Sequence, residues 1–380
     1  MSKMSTLTHV LRGAGAPSRK PGFFHDRVGS CAILRLQGLL RASQPAALAR
    51  AIREDSLRHN VRSLVVSAVD VTGSDVRALH AAPERAAEHF EALADAVVQV
   101  GAGALPVVAT VDGAAAGPAL GLLAHAACGV VTERTRLALP GPTFGYVPES
   151  FASFQLAREL PDGVGAYLAL TGAALTGAEL VTLGLATHIT ESQALPRVEA
   201  ELAQWMSARR GAGAATARRL VDETCVAPPA AAAELDDSHA LHFAAEIGEC
   251  FGQPSLAAVA AALEGGGGAW HAQALERLKA SSPLALHLSF ELLRRAAASD
   301  DWREVATLEA SVAAAALRSA DFGAGLNALR AAKRALLADA PDADDGAAAA
   351  DGGDDAPPLP QWEASGLDAV DEAAIASYLP

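Results

Sequence analysis

The chain has 380 residues, 51% of them hydrophobic and 4% aromatic, with a formal net charge of −14. That length suits one large domain or two ordinary ones with a sizeable core. The charge excludes extensive contact with nucleic-acid phosphates, though a local patch could still touch RNA. No apolar run reaches the ~20 residues of a membrane span.

The first 25 residues contain no Asp or Glu and carry Lys3, Arg12, Arg19 and Lys20 among Ser, Thr and small apolar residues. This composition suits a mitochondrial transit peptide, and a plain flexible arm fits the same residues. Residues 1–27 are therefore expected to lie outside the fold. "CAILRLQ" (31–37) alternates like a strand, and 44–60 has helical apolar spacing. "SLVVSAVD" (63–70) and "LPVVATVDG" (105–113) read as buried strands, with a helix over 84–99 between them. A helix over about 117–127 follows, then strands over 128–133 and 135–140. "LATHIT" (185–190) is the last good strand candidate. The repeated strand–helix order predicts a largely buried sheet with helices packed on it.

From about 193 the pattern is helical nearly to 338. Residues 339–359 are acidic and low in complexity. They carry too little apolar surface to offset their ordering entropy and read as a flexible insertion. Residues 360–380 resume with Trp362 and a short helix. Cys31, Cys128, Cys225 and Cys250 show no CxxC spacing, as expected of buried free thiols in a reducing compartment. There is no internal repeat, no phosphate-binding Walker loop and no His/Cys cluster with metal-ligand spacing.

"VDGAAAGPALGLLAHAACGVVTERTRLALPGPTFGYVPES" (111–150), "YLALTGAALTGAELVTLGLATHIT" (167–190), "LERLKASSPLALHLSFELLRRA" (275–296), "ADFGAGLNAL" (320–329) and "PQWEASGLDAV" (360–370) occur in that order. The set resembles the crotonase (enoyl-CoA hydratase/isomerase) superfamily and, within it, 3-hydroxyisobutyryl-CoA hydrolases. The resemblance implies an α/β crotonase-like ββα spiral over 28–192 with a helical C-terminal region over 193–338. It also implies a thioesterase site in which two backbone N–H groups polarise an acyl-CoA carbonyl and carboxylates manage water and protons.

Tested residue by residue, that site is incomplete. The family's first oxyanion loop corresponds to Thr72, Gly73, Ser74 and Asp75. Ser74 retains a backbone N–H there, although an ordinary turn would read the same way. The second donor, the middle glycine of a GGG, is replaced in Gly117-Pro118-Ala119 by Pro118, which has no N–H. Proline is well tolerated in a first helical turn, so the fold survives while the donor disappears. The main catalytic glutamate corresponds to Gly141. The second carboxylate corresponds to Glu149, with Phe151 adding bulk where the family has glycine; a helix N-terminal acid interacting with the macrodipole is the plainer role for Glu149. A further acidic pair falls on Ala92 and Leu93, with Glu91 one step round the helix. Gly73, Ser74 and Gly117 are what remains of a CoA or oxyanion loop. His125 reads as a packing residue and not a base. Residues 207–219, rich in arginine, fit an anion or RNA-backbone site or a solvated helix pair. The dispersed Trp205, Trp270, Trp302 and Trp362 read as core and interface anchors.

Intact scaffold with jointly missing chemistry predicts a non-catalytic protein of the mitochondrial matrix without cofactor or metal. Some members of the family serve as structural subunits of the mitochondrial ribosome's small subunit. The resemblance therefore implies ribosomal protein neighbours with limited RNA contact, and no membrane or DNA. The alternatives are an active 3-hydroxyisobutyryl-CoA hydrolase and a protein that binds acyl-CoA without turnover.

Overall fold

The computed structural model describes residues 22–208, 213–227, 239–338 and 360–379. The expected insertion at 339–359 and residues 1–21 lie outside the described residues. Among the described residues there are nine strands: β1 Gly22–Val28, β2 Cys31–Gln37, β3 Ser63–Val69, β4 Val107–Asp112, β5 Ala114–Ala115, β6 Cys128–Thr132, β7 Arg136–Leu137, β8 Leu175–Thr176 and β9 His188–Thr190. They form a six-stranded sheet in the order β1-β2-β3-β4-β6-β9 and a three-stranded sheet in the order β5-β7-β8. Every pairing in the larger sheet is parallel except that of β1 with β2.

The helices that position the site are α1 Gln44–Leu57, α2 Ala86–Ala102, α3 Gly117–His125, α4 Ala152–Arg158, α5 Leu195–Ala208, α6 Ala214–Thr224, α7 Pro283–Ala298, α8 Trp302–Ala316 and α9 Ala320–Ala338. Strands β2, β3, β4 and β6 are buried on both faces, which is why they read as continuous apolar runs. Leu34, Val66 and Ala109 face one core with Leu48 and Ile52 of α1 and Leu93 of α2. Val108, Cys128 and Val130 face the other, covered by Val198 and Leu202 of α5 and Leu220 of α6. The first helices after residue 193 thus complete the sheet's second face. Leu284, Leu288 and Leu292 of α7, Ala310, Val312 and Ala313 of α8, and Phe322 and Leu326 of α9 join Phe90, Tyr146 and Val147 in a separate core.

The N-terminal boundary expected at residue 27 moves to before Gly22. Gly29, at φ 58°, turns β1 onto β2 in an antiparallel hairpin. His25 Nε2 then lies 2.7 Å from Asp55 Oδ2, and the Arg27 guanidinium lies 3.4 Å from Oδ1. Asp55 is wholly buried on α1, and β1 supplies two side-chain partners for its carboxylate beside Arg58, whose Nε lies 3.8 Å away. The strand expected over 135–140 shrinks to Arg136–Leu137, because Pro140 and Gly141 lead into a 3₁₀ turn over Gly141–Phe144. Cys31, Cys128 and Cys250 are buried and Cys225 is half-buried; all four are free thiols.

The C-terminal segment is tied to the fold by Asp321, which is 1% exposed. Its carboxylate accepts the Glu363 N–H at 2.7 Å and the Ser282 hydroxyl, while His287 Nε2 donates to the Leu367 carbonyl at 3.0 Å. Asp321→Ala leaves the buried Ser282 hydroxyl and the part-buried Glu363 N–H without their acceptor. It is expected to cost about 2–4 kcal/mol, seen as a lower urea midpoint with earlier proteolysis after residue 360. An unchanged midpoint would show that the segment docks independently of this carboxylate.

Candidate functional site

The loops expected to hold a thioester carbonyl come together at the C-terminal ends of β3 and β4, and a side chain of the chain itself fills the space between them. The first loop is pinned at both ends to the segment after β2: Leu40 N–H donates to Gly73 O at 2.9 Å, and Asp75 N–H to Leu40 O at 2.8 Å. This presents the Ser74 N–H inward, where Glu149 Oε1 accepts it at 3.0 Å. Tyr146 O–H donates to Glu149 Oε2 at 3.0 Å. Across the gap, the second loop opens α3. A Cβ on Gly117 would stand 2.6 Å from the Glu149 carbonyl oxygen and 3.0 Å from its Cγ. Only glycine permits so close an approach. Pro118 follows, buried in the first turn of α3 with no N–H to offer.

Glu149 is 6% exposed. Burial pushes its carboxyl above the usual range, against the pull of the hydrogen bonds from Ser74 and Tyr146. Tyr146 is itself raised by burial and by the neighbouring Glu149 charge. The plainer role expected for Glu149, a helix N-terminal acid, belongs to another residue. Helix α4 begins at Ala152, and the carboxylate at its N-terminus comes from Glu309 of α8, which accepts the N–H groups of Phe151 and Ser153 and the Ser153 hydroxyl. Glu149 turns away from that end and into the loop gap.

Gly141 sits where the resemblance places a catalytic glutamate. A Cβ there would meet the Tyr146 carbonyl oxygen at 2.8 Å and its carbonyl carbon at 3.0 Å. The volume a side chain needs is occupied by main chain. Ala92 is half-buried, Leu93 belongs to the main core and Glu91 is exposed on the far side of α2, so no carboxylate enters from this helix. Phe151, at 1% exposure, fills the space beside α4 and packs on His125 with ring centroids 4.6 Å apart. His125 also stacks on Trp302 at 5.1 Å, and its Nε2 lies 2.9 Å from the Gln155 amide. Burial lowers its pKa to about 4, so the ring is neutral near pH 7 and packs as expected.

Sequence reasoning missed three residues of this region. His89 places Nε2 2.8 Å from Ser74 Oγ and Nδ1 3.2 Å from the Ala42 carbonyl. The carbonyl can only accept, so Nδ1 carries the proton and Nε2 receives the serine O–H. Burial holds this histidine's pKa down at about 4. The pair resembles a nucleophile with its base, but Ser74 is 3% and His89 1% exposed, and Glu149 covers the loop. Tyr146 and Glu309 are the others. Glu309 was legible: it interrupts the stripe Val305, Ala306, Ala310, Val312 and Ala313, all buried on the same face. Among the described residues no cluster of three His, Cys, Asp or Glu could hold a metal ion.

Ser150 and Phe151 both adopt the left-handed backbone, at φ 68° and 70°, and of the two only Phe151 stands where the resemblance expects glycine. An L-residue in that region costs about 1–2 kcal/mol, and the buried Ser150 hydroxyl finds no hydrogen-bond partner among the described residues. Ser150→Gly relieves both, offset by the larger unfolded-state entropy of glycine. A net stabilisation of about 1 kcal/mol is expected in urea denaturation, and a loss of stability would show that the hydroxyl is held.

The enoyl-CoA hydratase/isomerase family profile matches residues 46–336. The chain is 32% identical over 242 residues to small ribosomal subunit protein mS47 of Neurospora crassa, covering 59% of this chain and 45% of that protein. It is 29% identical over 236 residues to the mitochondrial 3-hydroxyisobutyryl-CoA hydrolase of Xenopus tropicalis, covering 59% and 56%. A 31% match over 232 residues to mS47 of Arabidopsis thaliana covers 59% and 54%. The chain spans about half the length of these curated relatives. In three dimensions it is similar to a carnitinyl-CoA dehydratase from Mycobacterium thermoresistibile, with a TM-score of 0.76 at 22% identity over 94% of this chain and 96% of the other. An enoyl-CoA hydratase from Rhodobacter sphaeroides gives 0.74 at 22% over the same shares. These two likenesses carry the fold, an α/β crotonase-type core with a helical C-terminal region.

Proposed function

The chain belongs to the enoyl-CoA hydratase/isomerase family, and from that premise we propose that it is a non-catalytic structural component of the small subunit of the mitochondrial ribosome. The observation that carries the non-catalytic half is Glu149, lodged between the oxyanion loops with its carboxylate on the one N–H that could have served. Pro118 lacks the second donor, and Gly141 has neither a side chain nor room for one. Losing a single oxyanion donor costs about 10²–10³ in turnover; here both are lost, together with the group that would activate water. The ribosomal half is supported by the relatives named as small ribosomal subunit proteins. The mitochondrial placement is supported by the relative named as a mitochondrial hydrolase and by the acid-free first 25 residues.

On this reading the protein uses no cofactor, and its neighbours are ribosomal proteins with limited RNA contact. Sedimentation of tagged chain from mitochondrial lysate tests the assembly: co-migration with small ribosomal subunits is expected, and a wholly free pool defeats it. Purified chain with 3-hydroxyisobutyryl-CoA tests the chemistry. No thiol release above the uncatalysed rate is expected, and calorimetry with CoA should give no heat of binding. Turnover near ~1 s⁻¹ would make the protein a hydrolase of its relative's kind.

A further inference from the structure

The end of the sheet opposite the filled loops is open. Residues 58–62 enter β3, 101–107 enter β4 and 125–127 enter β6, so the parallel strands place all three connections at one edge. Between them runs a groove of about 700 Å³. Among the described residues its lining includes Arg58, His59 and Arg62 and no Asp or Glu, in a chain whose net charge is −14. Arg58 is shared with Glu54 and Asp55, each at 3.8 Å. For the Arg62 side chain and for His59 no ion pair is found among the described residues. Gly213 and Ala214, at the start of the eleven-residue helix α6, close the far side. Among the described residues that helix has no side-chain cap and no acid in its first turn, so the positive end of its dipole stands at the groove wall. Gly101, Gly103, Ala104, Ala126 and Ala127 are among the lining residues, and their small side chains let a backbone approach closely. Leu57, 77% exposed, stands at the rim.

We propose that this groove seats the phosphate backbone of single-stranded RNA, with Arg62 and Arg58 on one side of the strand and the opening of α6 on the other. The anionic ligand follows from the groove itself; its being RNA rests on the ribosomal reading above. A cationic wall, the positive end of α6 and small lining residues suit a repeating phosphodiester, and His59 and Leu57 offer surfaces on which an unstacked base can rest. The groove lies away from Glu149 and the loops it fills, so occupancy here asks nothing of the former acyl-CoA site.

The test is fluorescence anisotropy of a labelled oligouridylate with the purified full chain across a salt series. Two phosphate contacts on a single strand give a log–log salt slope of about −1.4. Arg62→Glu is expected to weaken binding about tenfold or more and to bring the slope toward about −0.7, while Arg62→Lys keeps both near the parent values. Arg62 is exposed, and matching thermal melts establish that the variants are folded. Equal binding by the parent and Arg62→Glu overturns the proposal, as does polyglutamate competing as well as RNA, which would make the partner an acidic protein. Sedimentation separates the two readings. A chain that joins small subunits yet ignores oligouridylate defeats the groove alone. A chain that binds RNA through Arg62 but stays free of ribosomes upholds the groove and defeats the ribosomal reading.

Discussion

Gly141→Glu is expected to yield a poorly folded chain that hydrolyses no thioester. The new Cβ would press on the Tyr146 carbonyl at 2.8 Å and on Val147 main chain at 3.2 Å. These are backbone atoms that cannot rotate aside. The turn they belong to is closed by the Tyr146 N–H donating to the Gly141 carbonyl at 2.8 Å. Overpacking of this kind costs about 1–3 kcal/mol, and an unpartnered buried carboxylate adds to it, so a total near 3–5 kcal/mol is expected from urea denaturation. Pro118→Gly restores an N–H, yet Glu149 still holds Ser74. The combination Gly141→Glu, Pro118→Gly and Phe151→Gly should therefore remain inactive toward 3-hydroxyisobutyryl-CoA. Water activation and oxyanion stabilisation serve one transition state and cannot be regained piecemeal. Recovery of turnover to ~1 s⁻¹ in that triple variant would show that the gap reopens readily and that its closure is incidental.

The sequence carried the missing groups but not what replaced them. Pro118 and Gly141 announce a lost donor and a lost carboxylate by identity alone, because a proline has no N–H and a glycine no side chain wherever they fold. Glu149 is different. Its position suggested a helix N-terminus, and only the fold shows the side chain turning 75 residues back along the chain to Ser74. Such a contact has no local periodicity to read. The buried strands β2, β3, β4 and β6 were legible because both faces are covered and the runs are continuous. Strand β1 was not, since its residues are half-buried or exposed, including His25 and Arg27, the partners of Asp55. The two-residue strands β5 and β8 leave no pattern at all. Glu309 stood in plain view on an apolar face, where an unexplained charge should prompt a search for buried donors.

Glu309→Ala is expected to be among the most destabilising single changes in the protein, by about 3–5 kcal/mol. The carboxylate crosses from α8 to the start of α4 and accepts the N–H groups of Phe151 and Ser153 and the Ser153 hydroxyl. It is 1% exposed, and the cavity beside it, about 10 Å³, admits at most one water. Truncation strands three donors at once. Charge makes the same arrangement sensitive to pH. Burial pushes the Glu309 carboxyl above its ordinary 4.5, the Ser153 and Phe151 hydrogen bonds oppose this, and the Glu149 charge adds to the rise. Both folded carboxyls thus hold protons more tightly than in the unfolded chain. Their contribution to stability is full below about pH 4.5 and declines as pH rises toward and through the folded values. Glu149→Gln keeps an oxygen for the Ser74 N–H, removes one buried charge and lifts the repulsion on Glu309. Its urea midpoint should gain on that of the parent from about pH 5 to 8. A difference that stays constant over that range, or reverses, would mean that Glu149 is ionised throughout and already compensated by Ser74 and Tyr146.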